Sequence, residues 1–156
     1  MPPPQMPTAW VSEFTAADTD LRIQALGSLI KTDAQRVIPI LRGIALESTN
    51  PNEASRAVFV LAQSGRPEAH STVLEVARHG SEPVSVAAVR ELGRFGGPRT
   101  AQDLLKVYEA GRPLVKYQVV NSLGERAAAN ALLQIVQSES DSGLRNVAIV
   151  TLGRAG

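Results

Sequence analysis

Two histidines, fifteen carboxylates and one glycine-rich turn are the parts of this 156-residue chain that could do chemistry. His70 and His79 lie nine residues apart on one predicted helix. At about 100° per residue they fall on opposite sides of its axis and cannot chelate one metal ion. His79 precedes Gly80 at a predicted helix C-terminus, where a partly charged imidazole suits the dipole. Both histidines are therefore assigned structural roles. Glu75, Asp103 and Glu109 sit on predicted helices, but none pairs recognisably with a nucleophile. Glycoside hydrolysis needs two carboxylates at a set separation, which spacing alone does not supply here. Gly93-x-x-Gly96-Gly97 follows a helix rather than a strand, so it matches neither a phosphate loop nor a dinucleotide fingerprint. It is read as a helix terminator. No Gly-x-Ser-x-Gly is present. The chain has no cysteine, which excludes disulfides, thiolate zinc sites, iron–sulfur clusters and thiol nucleophiles. No catalytic, cofactor-binding or metal-ligating set emerges. Tyr108 and Tyr117 are expected to be partly buried, packing rather than reacting.

Composition narrows the classes further. The formal net charge is +1, so no strong field draws the chain toward nucleic acid or an anionic membrane. The basic residues are 13 Arg and 3 Lys. Apolar residues make up 44% but aromatics only 4%, so the core must be built of Leu, Val, Ile and Ala, as in helical stacks. No apolar run is long enough to span a bilayer. Met1-Pro2-Pro3-Pro4-Gln5 has neither the charged n-region nor the apolar h-region of an export signal. The compartment stays open, with the cytoplasm as default and export the alternative if this is a piece of a longer chain.

The elements that must position any site come from a repeat. Ala88-Val89-Arg90-Glu91-Leu92-Gly93-Arg94-Phe95-Gly96 has the spacing of four other stretches. Aligning on a leucine gives Leu29, Leu61, Leu92, Leu123 and Leu152, separated by 32, 31, 31 and 29 residues. Ala25, Ala57, Ala88, Val119 and Ala148 stand four positions earlier; Leu26, Val58, Val89, Val120 and Ile149 stand three earlier. Positions i, i+1 and i+4 share one helical face, which is predicted to be buried. After the leucine come Ile30, Ala62, Gly93, Gly124 and Gly153. A glycine inside a helix costs about 1 kcal/mol relative to alanine, so its recurrence implies the close approach of another backbone. Between these stretches lie four second helices with the pairs Ile40-Leu41, Val73-Leu74, Leu104-Leu105 and Leu132-Leu133.

Punctuation agrees. Pro51, Pro83 and Pro113 stand near the starts of first helices, and Pro67 and Pro98 at the starts of second helices, where a missing N–H costs little. Gly65 and Gly96 end first helices; Gly80 and Gly111 end second helices, as left-handed C-terminal residues. Residues 1–7 hold four prolines and are expected to be disordered. Residues 8–17, with Trp10, Val11 and Phe14 on one face, predict a short helix capping the open end of the stack.

Segments such as Val86 to Gly96 and Leu144 to Gly156 resemble the short bacterial HEAT-like repeats sometimes labelled after phycobilisome lyases. The resemblance covers about residues 18–156. The Asp-Pro usual before the first helix is degenerate here, as Asn50-Pro51, Glu82-Pro83 and Arg112-Pro113. The family's Val-Arg survives as Leu21-Arg22 and Leu144-Arg145, with Val115-Lys116 a weaker version. The resemblance implies an all-α fold, a right-handed α–α superhelix of about four and a half helix pairs. Repeats would occupy about 18–48, 49–80, 81–111 and 112–139, with a half repeat at 140–156. First helices would form the convex face and second helices the concave one. The last copy lacks its second helix, so Leu144, Ala148, Ile149 and Leu152 are expected to face an open end. That end predicts either a fragment of a longer protein or self-association.

Such repeats serve many roles, so function must come from what does not repeat. The position after each apolar pair on the second helices reads Arg42, Glu75, Lys106 and Gln134. Mixed signs there do not make a phosphate-tracking stripe. The expected function is a non-enzymatic scaffold receiving a protein or peptide on a face that includes Arg42, Glu75, Arg78, Lys106, Glu109 and Gln134. Two alternatives are an enzyme on the same scaffold, of bilin-lyase or DNA-glycosylase type, and a purely structural spacer. A deep pocket with convergent polar groups would favour the enzyme. The family's DNA glycosylases use groove aromatics, whereas the one Trp of this chain lies outside the repeats.

Overall fold

A computed structural model describes residues 8–155, with side chains from Asp18 onward. The expected disorder of residues 1–7, the part played by Trp10 and the terminal Gly156 lie outside what is described. The described residues form nine helices and no strand: α1 (Thr8–Leu29), α2 (Ala34–Glu47), α3 (Pro51–Gln63), α4 (Pro67–His79), α5 (Glu82–Phe95), α6 (Thr100–Glu109), α7 (Pro113–Glu125), α8 (Ala129–Ser138) and α9 (Ser142–Ala155). The odd-numbered helices pack side by side in one layer and the even-numbered ones in a second, while each helix also packs on its neighbour in sequence. This is an α-solenoid of four helix pairs and a half.

Local chemistry sets the helix starts. Pro51, Pro67 and Pro113 are the first residues of α3, α4 and α7, and Pro83 is the second of α5. Asn50 caps α3, its side chain accepting from the Asn52 N–H at 3.0 Å. Pro98 stands two residues ahead of α6, not at its first position. Pro39 lies inside α2, where it removes one intrahelical donor. The core is one continuous cluster running from Ile23 to Ala148, built from Leu, Val, Ile and Ala. Tyr108 is its one aromatic among the described residues. Tyr117, expected to be partly buried, is exposed.

The first repeat corrects the leucine register. Leu29 is 51% exposed, whereas Ile30 is 2% exposed and belongs to the core. Ile30, Leu61, Leu92 and Leu123 are all buried and stand 31 residues apart throughout. Ala25 is exposed and Leu26 partly buried, the same one-residue offset. Both Ala25-Leu26 and Leu29-Ile30 are apolar doublets, so a slip of one leaves the sequence pattern intact. The second helix shows the same offset: Leu41 is fully buried and Ile40 is 42% exposed. Leu41 is therefore the partner in register of Val73, Leu104 and Leu132.

The expected separate helix over 8–17 is continuous with the first repeat helix, Thr8–Leu29, and no proline or glycine precedes Gly27 in that stretch. At the other end Ala148 is buried, while Ile149 and Val150 are exposed and Leu144 and Leu152 are partly buried. Only part of the expected open face is thus open. Ala148 is covered because α9 packs on both α7 and α8.

Two glycine expectations divide. A Cβ on Gly93 would stand 2.8 Å from Ser122 Cβ and 3.5 Å from Ser122 Cα, and one on Gly124 would collide with the Thr151 side chain. Successive odd-numbered helices do approach closely there. Gly153 has nothing within 4 Å among the described residues. Of the terminating glycines, Gly65 is left-handed, at φ 71°. Gly80 and Gly96 are extended instead, and their N–H groups close on Val76 O and Leu92 O at 2.8 Å. Glycine is suited to them by crowding: a Cβ would strike those same carbonyls.

Three arginines tie repeats together. Arg66 Nη2 donates to Lys31 O at 2.6 Å, and Arg112 Nη2 to Gly80 O at 3.1 Å. Arg126 donates to Gly93 O at 2.9 Å and Gly97 O at 2.8 Å. Each guanidinium satisfies carbonyls near the end of a helix in the preceding repeat, groups that a helix terminus leaves without partners.

Candidate interaction surfaces

The residues singled out on the second helices stand on one layer. Arg42 is on α2, Glu75 and Arg78 on α4, Lys106 and Glu109 on α6, and Gln134 on α8. The structure brings one pair of them together. Arg42 Nε donates to Glu75 Oε2 at 2.9 Å, and Nη2 donates to the second oxygen, making a forked contact between consecutive repeats. That fork raises the Arg42 pKa, and it holds the Glu75 carboxyl below the usual carboxylate range, chiefly through the Arg42 hydrogen bond. Arg78, Lys106, Glu109 and Gln134 are exposed, and no ion pair joins the three charged ones to another described residue.

With Leu41 in register with Val73, Leu104 and Leu132, the position of Arg42 corresponds to Leu74, Leu105 and Leu133. The row through Glu75, Lys106 and Gln134 begins instead at Gly43. Arg42 reaches the row by leaning across to Glu75 rather than by belonging to it. Ile40 and Leu133 are exposed on the same layer, so apolar and mixed polar groups share it. One rung further along, His70 Nε2 lies 3.4 Å from Asp103 Oδ2, linking α4 to α6. An open groove of about 420 Å³ between α6 and α8 is lined by Pro98, Ala101, Gln102, Leu105, the 127–131 segment and Gln134. No titratable side chain lines it.

The opposite layer holds polar chemistry that the repeat alignment passed over. Arg56 on α3 forks onto Asp20 on α1, with Nε–Oδ1 at 2.7 Å and Nη2–Oδ2 at 3.1 Å. Phe59 and Phe95 meet edge to face with centroids 5.8 Å apart. Glu91 on α5 is buried between helices, and its Oε2 has no hydrogen-bond partner among the described residues. Arg90 Nε stands 3.7 Å from Glu91 Oε1, and Arg94 Nη1 stands 3.8 Å from Oε2. Both are too long for hydrogen bonds. A groove of about 630 Å³ runs over this region, lined from α1 by Asp20, from α3 by Glu53, Arg56 and Phe59, and from α5 by Arg90 and Glu91. The sequence did contain a signal for Glu91: at a spacing of 31 it occupies the place of Val60 and Ser122. A carboxylate in the place of the partly buried Val60 and the buried Ser122 is costly to hold, and so is informative.

A family model for HEAT repeats matches residues 38–124, more than half of the chain. No curated protein matches it.

Proposed function

The chain belongs to the HEAT-repeat family, and from that premise we infer that it is an interaction scaffold receiving a protein or peptide along the layer of α2, α4, α6 and α8. HEAT repeats commonly act as protein-interaction scaffolds. The observation that carries the proposal here is the composition of the exposed row. Glu75, Lys106 and Gln134 alternate in character along successive helices, and Arg78, Glu109, Ile40 and Leu133 flank them. Alternating charge with apolar contacts suits a polypeptide better than a polyanion, which needs cations in register. A row held by stacked helices is preorganised, so little ordering entropy is lost when a partner docks. No described helix is long and apolar enough to cross a membrane.

The test is charge reversal at positions that leave the fold alone. Lys106→Glu and Arg78→Glu are exposed and have no ion-pair partner among the described residues. A partner captured by the native protein and measured by titration should bind each variant about tenfold or more weakly. A partner indifferent to both places its site elsewhere. Arg42→Glu is a poorer probe, because it sets two carboxylates side by side at Glu75 and perturbs the stack as well as the surface.

A further inference from the structure

We propose that the groove over α1, α3 and α5 is a receptor site for an arginine side chain of a partner polypeptide, with the Glu91 carboxylate as its acceptor. The burial of Glu91 and the lining of the groove support it. The Glu91 side chain is 8% exposed, yet one of its oxygens has no donor among the described residues. A buried carboxylate without hydrogen bonds is a costly arrangement, relieved by any donor that reaches it. The neighbouring guanidiniums of Arg90 and Arg94 soften the charge but stop at 3.7 and 3.8 Å, and both side chains are at least half exposed. They flank the carboxylate without occupying its lone pairs.

The groove suits a cation. Asp20, Glu53 and Glu91 supply three negative charges, and Arg56 and Arg90 two positive ones, so the lining carries one net negative charge. The Arg56 guanidinium is already held by Asp20, which leaves Glu53 without an ion pair among the described residues and Glu91 with only its long ion pairs to Arg90 and Arg94. The Phe59 ring lines the same space, and the face of an aromatic ring attracts a planar cation. Asn50, Asn52 and Ser55 bring further acceptors. A guanidinium carries five N–H donors in a flat fork and can address acceptors spread over several helices; an ammonium addresses them as a point charge. This site lies on the layer opposite Lys106 and Arg78, so it stands or falls independently of the scaffold surface proposed above.

The experiment is an amide NMR titration of the whole chain with N-acetyl-arginine amide, and in parallel with the citrulline analogue, which has the same shape but no charge. Saturable shifts centred on Glu53, Arg90 and Glu91 are expected for the arginine probe and none for citrulline. Glu91→Gln should weaken the arginine probe about tenfold or more, while Lys106→Glu leaves it unchanged. Equal responses to the two probes, no saturable response, or undiminished binding by Glu91→Gln would each overturn the proposal. So would an Arg94 Nε–H or Nη–H found locked onto Glu91 in the free protein. If Glu91→Gln does not fold, the arginine and citrulline arms on the native chain decide the matter alone.

Discussion

The Tyr108 hydroxyl donates to Glu139 Oε1 across 31 residues, joining α6 to the turn between α8 and α9. Lys116 Nζ stands 3.6 Å from the same oxygen and 5.0 Å from the centre of the Tyr108 ring, while the Asp141 N–H donates to the other oxygen at 3.1 Å. Tyr108 of α6, Lys116 of α7 and Asp141 of the turn before α9 thus meet on one carboxylate.

This contact makes stability depend on pH in a set direction. Burial, then the bond to Glu139, raises the Tyr108 pKa above its ordinary 10.0, and the Tyr108 bond is the main reason the Glu139 pKa falls below its ordinary 4.5. The carboxylate's contribution is present above pH 4.5 and lost as pH falls through the depressed value; the phenol's is present below pH 10.0 and lost as pH rises beyond it. Tyr108→Phe should cost about 1–2 kcal/mol at neutral pH. In thermal melts its difference from the native protein should be largest between roughly pH 5 and pH 10 and shrink on both sides. A difference that stays constant from pH 3 to pH 7 would rule the bond out as the cause.

The register of the first repeat is testable by two neighbouring truncations. Ile30→Ala should cost about 2–5 kcal/mol, as should Leu92→Ala in the middle repeat, because both remove buried methyl groups. Leu29→Ala, at an exposed position, should stay within about 0.5 kcal/mol of the native protein. Urea midpoints read all three. Equal losses at Leu29 and Ile30 would restore the 32-residue spacing.

Gly93 and Gly43 should respond to alanine in opposite directions. A Cβ on Gly93 meets Ser122 at 2.8 Å, whereas one on Gly43 meets nothing within 4 Å. Gly93→Ala should destabilise by about 1–3 kcal/mol through overpacking. Gly43→Ala, inside α2, should stabilise by about 0.5–1 kcal/mol. A double-mutant cycle of Gly93→Ala with Ser122→Gly should show coupling, since the clash is pairwise; additivity would contradict the close approach of α5 and α7.

Arg126 forks onto the Gly93 and Gly97 carbonyls of the preceding repeat. Arg126→Leu should cost about 1.5–3 kcal/mol, the usual range for a hydrogen bond to a charged group. Arg126→Lys should recover only part, because an ammonium cannot reproduce the fork. Arg145→Ala, at an exposed side chain, is the control and should be near neutral in the same denaturation series. Equal losses at 126 and 145 would show that general charge, not the contact, matters.

Alternation of apolar doublets, prolines and glycines was enough to read a stack of helix pairs from the chain, because each repeat must bury the same face against its neighbours. Leu61, Leu92 and Leu123, with the second helices of Val73, Leu104 and Leu132, were legible for that reason. The one-residue register at Leu29-Ile30 and Ile40-Leu41 was not. A doublet satisfies the pattern in either frame, and only the neighbouring helix decides which member is covered.

The pairings were decided in three dimensions. Arg42 with Glu75, Tyr108 with Glu139, and Arg126 with the carbonyls of Gly93 and Gly97 all join residues about one repeat apart, at distances set by how helices stack. Glu91 shows the division most plainly. Its charge and its failure to repeat are visible in the sequence, but its burial and its unmatched oxygen exist only once α1, α3 and α5 are packed. The sequence determined the repeat because burial of a helical face is periodic. The site depended on tertiary structure because exposure, hydrogen bonding and charge balance are properties of neighbours, and neighbours are chosen by packing.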